Sequence, residues 1–493
     1  MNRNIEALGE QTFDLAIIGG GILGAGIARD AAMRGMSVAL IEQNDFASGT
    51  SSASTKLIHG GLRYLQQFAF RLVAESCRER SVLLDMASHL VKPLPLLMPV
   101  YEGDLNSLFK LRLGTTLYDW MTLRRHPLMP RHTTLTPAEA VEREPTLPTT
   151  GQHGGALQGA VVVYDCQMDD ARLCIETILD AERRGAVCVN YCKASGLRMQ
   201  GSRVEAINAV DTITGNSLEL RAQTVINAAG PWAEQICAMN TAAPGIRLSP
   251  TKGVHLLIPR VQKNHGLYFP SRNDGRMIFL VPWDDVSLIG TSDTDFLQDP
   301  AEARPETDDV TYLLNQLNTI MPDAGVGRDD IMASFAGVRA LVRSDSKRPS
   351  SRSREEKIAR QGDNLLNVAG GKYTTFRAVA DKALREVYRM KRQKPSPCLT
   401  EATPLPDNRP SRSGDQLATA PEVFESDIIH ACQVEKAVTL SDVMRRRTRL
   451  ALSPHGGADV AEKVSWLMAT QHDWDDAMRT TQLDDYLRER NRG

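Results

Sequence analysis

Residues 13–42 read FDLAIIGGGILGAGIARDAAMRGMSVALIE, and this stretch decides the fold. An apolar run at 15–18 enters the glycine-rich turn at 19–24. A helical pattern continues from this turn to about Gly35, and a second apolar run then ends on Glu42. This order predicts a strand, a turn, a helix and a second strand.

The glycine spacing indicates a dinucleotide site. Gly19 permits the tight turn, Gly21 allows the backbone to approach a pyrophosphate, and Gly24 allows close packing of helix on strand. The first helical residues follow at once, and their N–H groups and partial positive charge suit phosphate. Glu42 lies where a carboxylate accepts hydrogen bonds from a ribose, which favours FAD or NAD over NADP. A glycine-rich turn without a ligand is the alternative. The strand before the turn, the glycine spacing, the helix after it and the acidic end of the second strand all favour the dinucleotide site.

The composition of the chain excludes several classes of protein. The chain has 493 residues, of which 42% are hydrophobic and 24% charged, and its formal net charge is -2. This suits a soluble enzyme of two or three domains and gives no field that would attract nucleic acid. Eight cysteines occur without a CxxC pair, so we expect no disulfide scaffold, no metal centre and no redox-active dithiol. The first residues lack an apolar targeting segment, which predicts a cytoplasmic protein.

The loop after Glu42 concentrates polar and glycine residues. Residues 50–65 read TSSASTKLIHGGLRYL. Such a stretch is compatible with an ordinary surface loop. In doubly wound sheets, however, ligands bind beyond the carboxyl ends of the strands, which is where this loop should lie.

This loop and six later stretches carry a resemblance to a known family. The later stretches are VYDCQMDDARL at 163–173, NAAGPW at 227–232, KGVH at 252–255, IGTSD at 289–293, AGVR at 336–339 and GGKYTTFR at 370–377. Together with GGGILGAGIARDAA they resemble the FAD-dependent glycerol-3-phosphate dehydrogenases of aerobic, quinone-linked respiration. The first glycine motif and NAAGPW specify only the wider superfamily of glycine-oxidase-like flavoenzymes. The combination of HGGLRYL, GVR and GGKYTTFR is more specific, and it is this combination that resembles the glycerol-3-phosphate dehydrogenases.

The resemblance implies an α/β fold with three parts. A Rossmann-like FAD-binding domain of the GR2, or D-amino-acid-oxidase, type would be discontinuous and comprise 1–80, 152–235 and 330–392. A substrate-binding domain with a largely antiparallel sheet would comprise 81–151 and 236–329. A linker rich in proline, serine and charge at 393–421 would lead to a C-terminal helical domain at 422–493.

The resemblance further implies oxidation of sn-glycerol 3-phosphate to dihydroxyacetone phosphate by hydride transfer to N5 of FAD. Arg339 and Arg354 would hold the phosphate, because a guanidinium offers a planar fork of donors. The carbinol would be surrounded by Arg63, Tyr64, His255 and Lys372, and the predicted catalytic residues are Arg63, His255, Arg339 and Lys372. His255 is the natural base. A relay through Lys372 or an arginine-bound water, a base at His59, and a purely orienting His255 remain open.

The predicted contacts to FAD lie in the motifs quoted above. They are Gly19, Gly21, Ile22, Leu23, Gly24, Glu42, Thr50, Ser51, Ser52, Lys56, Leu57, Gly61, Ala194, Gly230, Gly371, Lys372, Thr374 and Thr375. The helix after Gly371, together with Lys372, would stabilise negative charge on the reduced flavin. The sequence departs from the family pattern at Phe376, where tyrosine is usual, and at Ala340, where proline is usual.

The partners implied are ubiquinone or menaquinone, the inner face of the cytoplasmic membrane as a peripheral site, and a second copy in a homodimer. Residues 105–126 mix basic and aromatic residues, as membrane-surface helices do, although a partly buried helix has the same pattern. The basic run at 445–449 is predicted to be a solvated helix face, with a dimer or anionic-surface contact as alternatives. Other functions compatible with the motifs are an oxidase using oxygen, an anaerobic dehydrogenase subunit, and an FAD-binding scaffold without turnover.

Overall fold

The computed structural model describes residues 3–104, 106–123, 129–151, 154–240, 245–271, 274–343 and 355–492. Within these ranges, the side chains at 63, 66, 67, 123, 491 and 492 are not described.

The strands are β1 (Thr12–Ile18), β2 (Val38–Ile41), β3 (Leu57–Ile58), β4 (Val91–Tyr101), β5 (Thr133–Leu135), β6 (Leu157–Met168), β7 (Val187–Val189), β8 (Cys192–Gln200), β9 (Arg203–Asp211), β10 (Ser217–Asn227), β11 (Thr251–Pro259), β12 (Gly266–Pro270), β13 (Met277–Trp283), β14 (Val286–Gly290), β15 (Thr294–Asp295), β16 (Ala333–Arg339), β17 (Glu356–Gln361), β18 (Leu365–Gly370), β19 (Gln416–Thr419) and β20 (Glu422–Phe424). The helices are α1 (Ala7–Glu10), α2 (Ile22–Met33), α3 (Phe70–Met86), α4 (Leu108–Leu123), α5 (Pro137–Arg143), α6 (Asp170–Arg183), α7 (Ala233–Ala238), α8 (Thr307–Ile320), α9 (Phe376–Met390), α10 (Glu425–Gln433), α11 (Leu440–Asp442), α12 (Ala461–His472) and α13 (Asp476–Arg492).

The first sheet has the order β17-β18-β10-β1-β2-β7, and β1 pairs in parallel with both β2 and β10. Alternate side chains of β1 point to opposite faces of the sheet, and both faces are covered by other elements. Leu15 and Ile17 pack against α2, α6 and α9, whereas Ala16 and Ile18 pack toward β8 and β9. The sheet is therefore a mainly parallel layer, with β17 antiparallel at one edge, between helices and the antiparallel strands β8 and β9.

The second sheet has the order β15-β11-β14-β13-β12-β4-β6-β3, with β16 paired to β11. Alternation along β11 decides which side chains face the cleft. Val254, Leu256 and Ile258 pack into the core that includes α8, so His255 lies on the opposite face. As predicted, the sheet is largely antiparallel. Strands β6 and β16 belong to this sheet, although the sequence prediction assigned their residues to the FAD-binding domain.

The C-terminal part is helical, as the resemblance implied, with a core shared by α10, α12 and α13. The basic run is not a solvated face, so that prediction is wrong. Arg446 and Arg447 are buried and form ion pairs with Asp45 of the first domain. The segment before β19 lies along the first domain, where Leu405 is buried in the main core and its N–H donates to the carbonyl of Met86.

Helix α4 exposes a row of large apolar side chains. Phe109, Leu113 and Trp120 are 77%, 66% and 57% exposed, and their spacing places them on one face of the helix. None of the helices in the described part of the chain is both long and apolar enough to cross a bilayer.

Candidate active site

The turn between β1 and α2 consists of glycines without room for a side chain. Gly19 has φ +116°, and a Cβ atom there would lie 2.5 Å from the carbonyl oxygen of Ala228. A Cβ atom on Gly24 would lie 1.9 Å from the carbonyl oxygen of Gly19. On Gly21 it would approach Ser51 Oγ to 3.0 Å. Helix α2 therefore packs closely on β1 and begins directly at a cleft.

The N-terminus of α2 opens into this cleft, which runs from the end of the first sheet to the face of the second. Ile22 and Leu23 line it together with Thr50 and Ser51. The N–H of Ile22 donates to Ser51 Oγ at 2.9 Å. Because a helix N-terminus attracts anions, this part of the wall suits a pyrophosphate.

Glu42 stands at the carboxyl end of β2 and lines the same cleft. Its carboxylate accepts hydrogen bonds from the N–H of Gly20 at 2.7 Å and from the N–H of Asn44 at 3.0 Å. Burial raises the pKa of Glu42. The facing wall comes from Ala194 of β8 and from Gly230 in the turn after β10. These residues would hold a ribose and an adenine, because the Glu42 carboxylate can accept hydrogen bonds from ribose hydroxyls.

The opposite end of the cleft brings Tyr64 and Lys372 together. Lys372 Nζ lies 4.1 Å from the ring centroid of Tyr64 and donates to Ser76 Oγ at 3.1 Å. A Cβ atom on Gly61, where φ is +81°, would come within 3.1 Å of Lys372 Nζ. Glycine at this position therefore leaves space for the ammonium group beside the aromatic ring.

Thr374 joins the loop of residues 59–61 to the start of α9. Its hydroxyl accepts from the N–H of His59 at 3.2 Å and donates to the carbonyl of His59 at 3.3 Å. Gly371 and Thr374 both line the cleft. Thr375 instead donates to the carbonyl of Lys372 at 3.3 Å from a buried position.

His255 lies in the cleft as a buried side chain. Its Nε2 is 2.8 Å from Thr55 Oγ1, and its ring stacks on Phe335 with centroids 5.0 Å apart. Burial, with the positive charges of Arg339 and Lys56, holds the pKa of His255 well below its usual value of 6.5. The imidazole is therefore neutral at physiological pH.

Arg339 lies at the end of β16, whose pairing with β11 sets it opposite Thr251. Its Nη1 donates to Asp293 Oδ1 at 2.8 Å, and its Nη2 donates to Thr291 Oγ1 at 2.9 Å. A Cβ atom on Gly253 would lie 2.4 Å from Nη2. The guanidinium is thus held in one orientation at the cleft wall, where a planar fork of donors suits a phosphate or carboxylate.

Most of the predicted site residues meet in this cleft. Those that line it are Gly19, Gly21, Ile22, Leu23, Glu42, Thr50, Ser51, Leu57, Gly61, Tyr64, Ala194, Gly230, His255, Arg339, Gly371, Lys372 and Thr374.

The predicted residues Gly24, Ser52, Lys56 and Thr375 do not line the cleft. Lys56 Nζ forms a buried ion pair with Asp170 at 2.6 Å and donates to the carbonyl of Ser52 at 3.1 Å. Through these two contacts Lys56 stabilises the loop at residues 50–65. Arg354 and the basic residues at 124–126 lie outside the described residues, and the side chain of Arg63 is not described.

Several residues of the site were missed by sequence reasoning. Asp293, Thr291 and Gly253 fall in motifs that carried the resemblance, but only strand pairing shows that they surround Arg339. Asp165 is a second case. It lines the cleft, accepts from the N–H of Gly60 at 3.1 Å, and forms a buried ion pair with Arg80. Its position at the end of an apolar run was the available signal.

The chain matches two family profiles. One, described as FAD dependent oxidoreductase, matches residues 14–379, and one described as the C-terminal domain of alpha-glycerophosphate oxidase matches residues 383–479. The aerobic glycerol-3-phosphate dehydrogenase of Staphylococcus haemolyticus is 37% identical over 460 residues, which cover 90% of this chain and 79% of that protein. The Bacillus subtilis protein of the same name is 36% identical and covers 82% of this chain and 72% of its own length.

A solved structure agrees with these matches. The glycerol-3-phosphate dehydrogenase from Bacillus halodurans, complexed with FAD, superposes with a TM-score of 0.75 and 26% identity, covering 98% of this chain and 96% of that one. Glycine oxidase from Geobacillus kaustophilus, at 21% identity, a TM-score of 0.53 and coverage of 80% and 98%, shares the fold alone. These similarities confirm the predicted fold class.

Proposed function

This chain belongs to the aerobic glycerol-3-phosphate dehydrogenase family within the FAD-dependent oxidoreductases, and from that premise we propose that it oxidises sn-glycerol 3-phosphate to dihydroxyacetone phosphate. When bound, FAD supplies the acceptor for the hydride. The observation that carries the proposal is one continuous cleft. Its first part has the α2 N-terminus and Glu42, which suit a dinucleotide, and its second part has Arg339 and Lys372, which suit a phosphorylated alcohol.

Arg339 would bind the phosphate of the substrate. Its guanidinium is already oriented by Asp293 and Thr291, so little side-chain entropy is lost when an anion binds. Arg354 remains a predicted second phosphate ligand. Lys372 and Tyr64, which touch each other on the wall beside α9, would lie around the carbinol.

His255 would take the proton of the substrate hydroxyl at Nε2. The neutral ring required of a base is the form that burial and the neighbouring cations favour. Thr55 Oγ1 orients this nitrogen at 2.8 Å. His59 and Lys372 also line the cleft and are the alternative proton acceptors.

We expect the acidic limb of the kcat/KM profile to lie well below pH 6.5. As pH falls, His255 stays neutral past its usual pKa, because protonation would place a charge in a buried position beside Arg339 and Lys56. The measurement is kcat/KM between about pH 4.5 and 9, with FAD saturating. A limb that survives unchanged in His255→Asn would show that another group, such as His59 or Lys372, takes the proton.

Anaerobic titration of the FAD-loaded protein tests the function. We expect sn-glycerol 3-phosphate to bleach the oxidised flavin, whereas glycerol without the phosphate should not. Other small phosphorylated alcohols and acids complete the panel, because an arginine-lined pocket alone does not define the carbon skeleton. A flavin that none of these compounds reduces would contradict the proposal and favour a scaffold without turnover.

We further propose that electrons leave to a membrane quinone at the inner face of the cell membrane. The support is the exposed face of α4, with Phe109, Leu113 and Trp120 beside the exposed cations Lys110 and Arg112. Aromatic and basic residues on one surface suit an anionic bilayer. Helix α4 packs on the turn at Leu62–Gln67, and Tyr64 of this turn lines the cleft. The exposed surface therefore belongs to a helix that contacts the wall of the active site.

Serine at both Phe109 and Trp120 should weaken binding to anionic vesicles about fivefold or more, since about 1 kcal/mol of lost insertion corresponds to that factor. Reduction of ubiquinone in the same vesicles should fall with it, while reduction of a water-soluble dye stays unchanged. Leu297→Ser, at an 88% exposed position that is not part of α4, is the matched control. Oxygen uptake that exceeds quinone reduction in the wild type would identify an oxidase instead.

A further inference from the structure

The adenosine end of the cleft is walled by the segment at residues 42–49. Glu42, Asn44 and Ser48 line the cleft, whereas Asp45 is fully buried behind it. The segment is bound to the glycine turn, because the N–H of Ala47 donates to the carbonyl of Gly20 at 3.1 Å. The position of Asp45 therefore influences the wall that faces the nucleotide.

Asp45 is held by two arginines of the C-terminal domain. Arg446 Nε donates to Asp45 Oδ2 at 2.6 Å, and Arg447 donates from Nη1 at 2.7 Å and from Nη2 at 2.9 Å. Burial alone would raise the pKa of Asp45, but the charges of Arg447 and Arg446 lower it to about 2. Asp45 is therefore an ionised, buried carboxylate whose charge is compensated from another domain.

A second contact reaches the neighbouring wall. The hydroxyl of Tyr191 donates to Asp442 at 2.8 Å, and the N–H of Tyr191 donates to the carbonyl of Asn44 at 2.8 Å. Cys192, the next residue, donates from its N–H to the carbonyl of Glu42 at 2.7 Å. The C-terminal domain thus contacts both backbone segments that enclose the adenosine end.

Other ion pairs already attach this domain to the first one. Arg172 of α6 pairs with Glu435 at 2.6 Å, and Arg449 contacts Asp169 at 3.2 Å and Asp284 at 3.7 Å. The Arg172–Glu435 pair adjoins the cluster, because Arg447 Nη2 also donates to the carbonyl of Glu435 at 2.8 Å. The carboxylates of all these pairs, however, lie outside residues 42–49. The cluster of Asp45, Arg446 and Arg447 is therefore more than a generic attachment, because its carboxylate belongs to the nucleotide wall.

We propose that the C-terminal helical domain sets the affinity for FAD by holding residues 42–49 through Arg446 and Arg447. These arginines do not line the cleft, so they are positioning residues. Because coupling between two binding events is reciprocal, FAD binding also tightens the docking of the C-terminal domain. The inference depends on FAD binding and not on the substrate, so a wrong substrate assignment would leave it unaffected.

The test is the dissociation constant of FAD, measured by ultrafiltration and by flavin fluorescence on refilled apoprotein. Arg447→Gln should raise this constant at least tenfold. Arg449→Gln, in the same basic run and the same interface, should leave it within twofold. Arg447→Lys, which keeps the charge, should restore part of the affinity. The constant for Arg447→Gln staying within twofold of the wild type, or rising equally in Arg449→Gln, would overturn the proposal.

A milder variant decides the matter if Arg447→Gln does not fold. Tyr191→Phe removes only the hydroxyl that binds Asp442, and it should raise the dissociation constant about threefold. An unchanged constant in this folded variant would count against the proposal. Limited proteolysis of the wild type supplies a second readout, since FAD should slow cleavage in the segment at 394–421, and equal cleavage of apoprotein and holoprotein would contradict the coupling.

Discussion

Replacement of Arg339 by alanine is expected to raise KM for sn-glycerol 3-phosphate by a factor on the order of 100. A charge-assisted contact between a guanidinium and a phosphate contributes about 2–3 kcal/mol, and each 1.4 kcal/mol is about tenfold. The arginine is held at the cleft wall by Asp293 and Thr291. Its loss should therefore act chiefly on binding. Steady-state kinetics with a water-soluble dye measures the change.

Arg339→Lys separates charge from geometry in this experiment. Lysine keeps the charge but not the planar fork, so its KM should lie between those of the wild type and Arg339→Ala. Arg247→Ala is the matched surface control, because Arg247 is 79% exposed and its nearest carboxylate contact is 4.0 Å. FAD content and thermal unfolding check that the loss of a partner for Asp293 has not disturbed the fold. A KM within threefold of the wild type would reject the role of Arg339.

Lys372→Met is expected to lower the rate constant for flavin reduction about 100- to 1000-fold, with a smaller effect on KM. Methionine keeps much of the length of the side chain but removes the charge beside Tyr64 and the donor to Ser76. Loss of one preorganised donor at a site of developing negative charge costs about that factor. Anaerobic single-turnover kinetics isolates this step from reoxidation.

The control for Lys372 is Lys357→Met, since Lys357 is exposed on β17. The comparison distinguishes a local effect from a general change in charge. Substrate deuterated at the carbinol carbon adds a second readout, because the isotope effect should increase if hydride transfer has become slower relative to binding. A reduction rate within threefold of the wild type would remove Lys372 from the catalytic residues.

Local chemistry explains what the sequence could predict. The turn from β1 to α2 depends on residues close together in the chain, because the φ of +116° at Gly19 and the 1.9 Å approach of a Cβ atom on Gly24 to the carbonyl oxygen of Gly19 both arise within residues 19–24. The alternation of apolar residues along β11 likewise indicated that His255 was an exceptional polar residue. Such signals extend over only a few residues, and most of the residues that they single out line one cleft.

Long-range pairing explains what the sequence could not predict. Arg446 looked like part of a solvated helix because its partner Asp45 is 401 residues away. The buried ion pair of Lys56 could not be predicted either, because its partner Asp170 is 114 residues away. Strands β6 and β16 have the apolar pattern of either sheet, so periodicity did not decide which sheet they join.

The distance in sequence between Asp45 and Arg446, 401 residues, also bears on how the protein is made. At about 5–20 residues per second, a ribosome needs about 20–80 s to reach the arginine after it has synthesised the aspartate. Strand β18 of the first sheet is likewise synthesised long after β1. The emerging chain therefore carries an unpaired strand edge and an uncompensated acid during most of translation, and we expect it to need chaperone protection until its last helices are released.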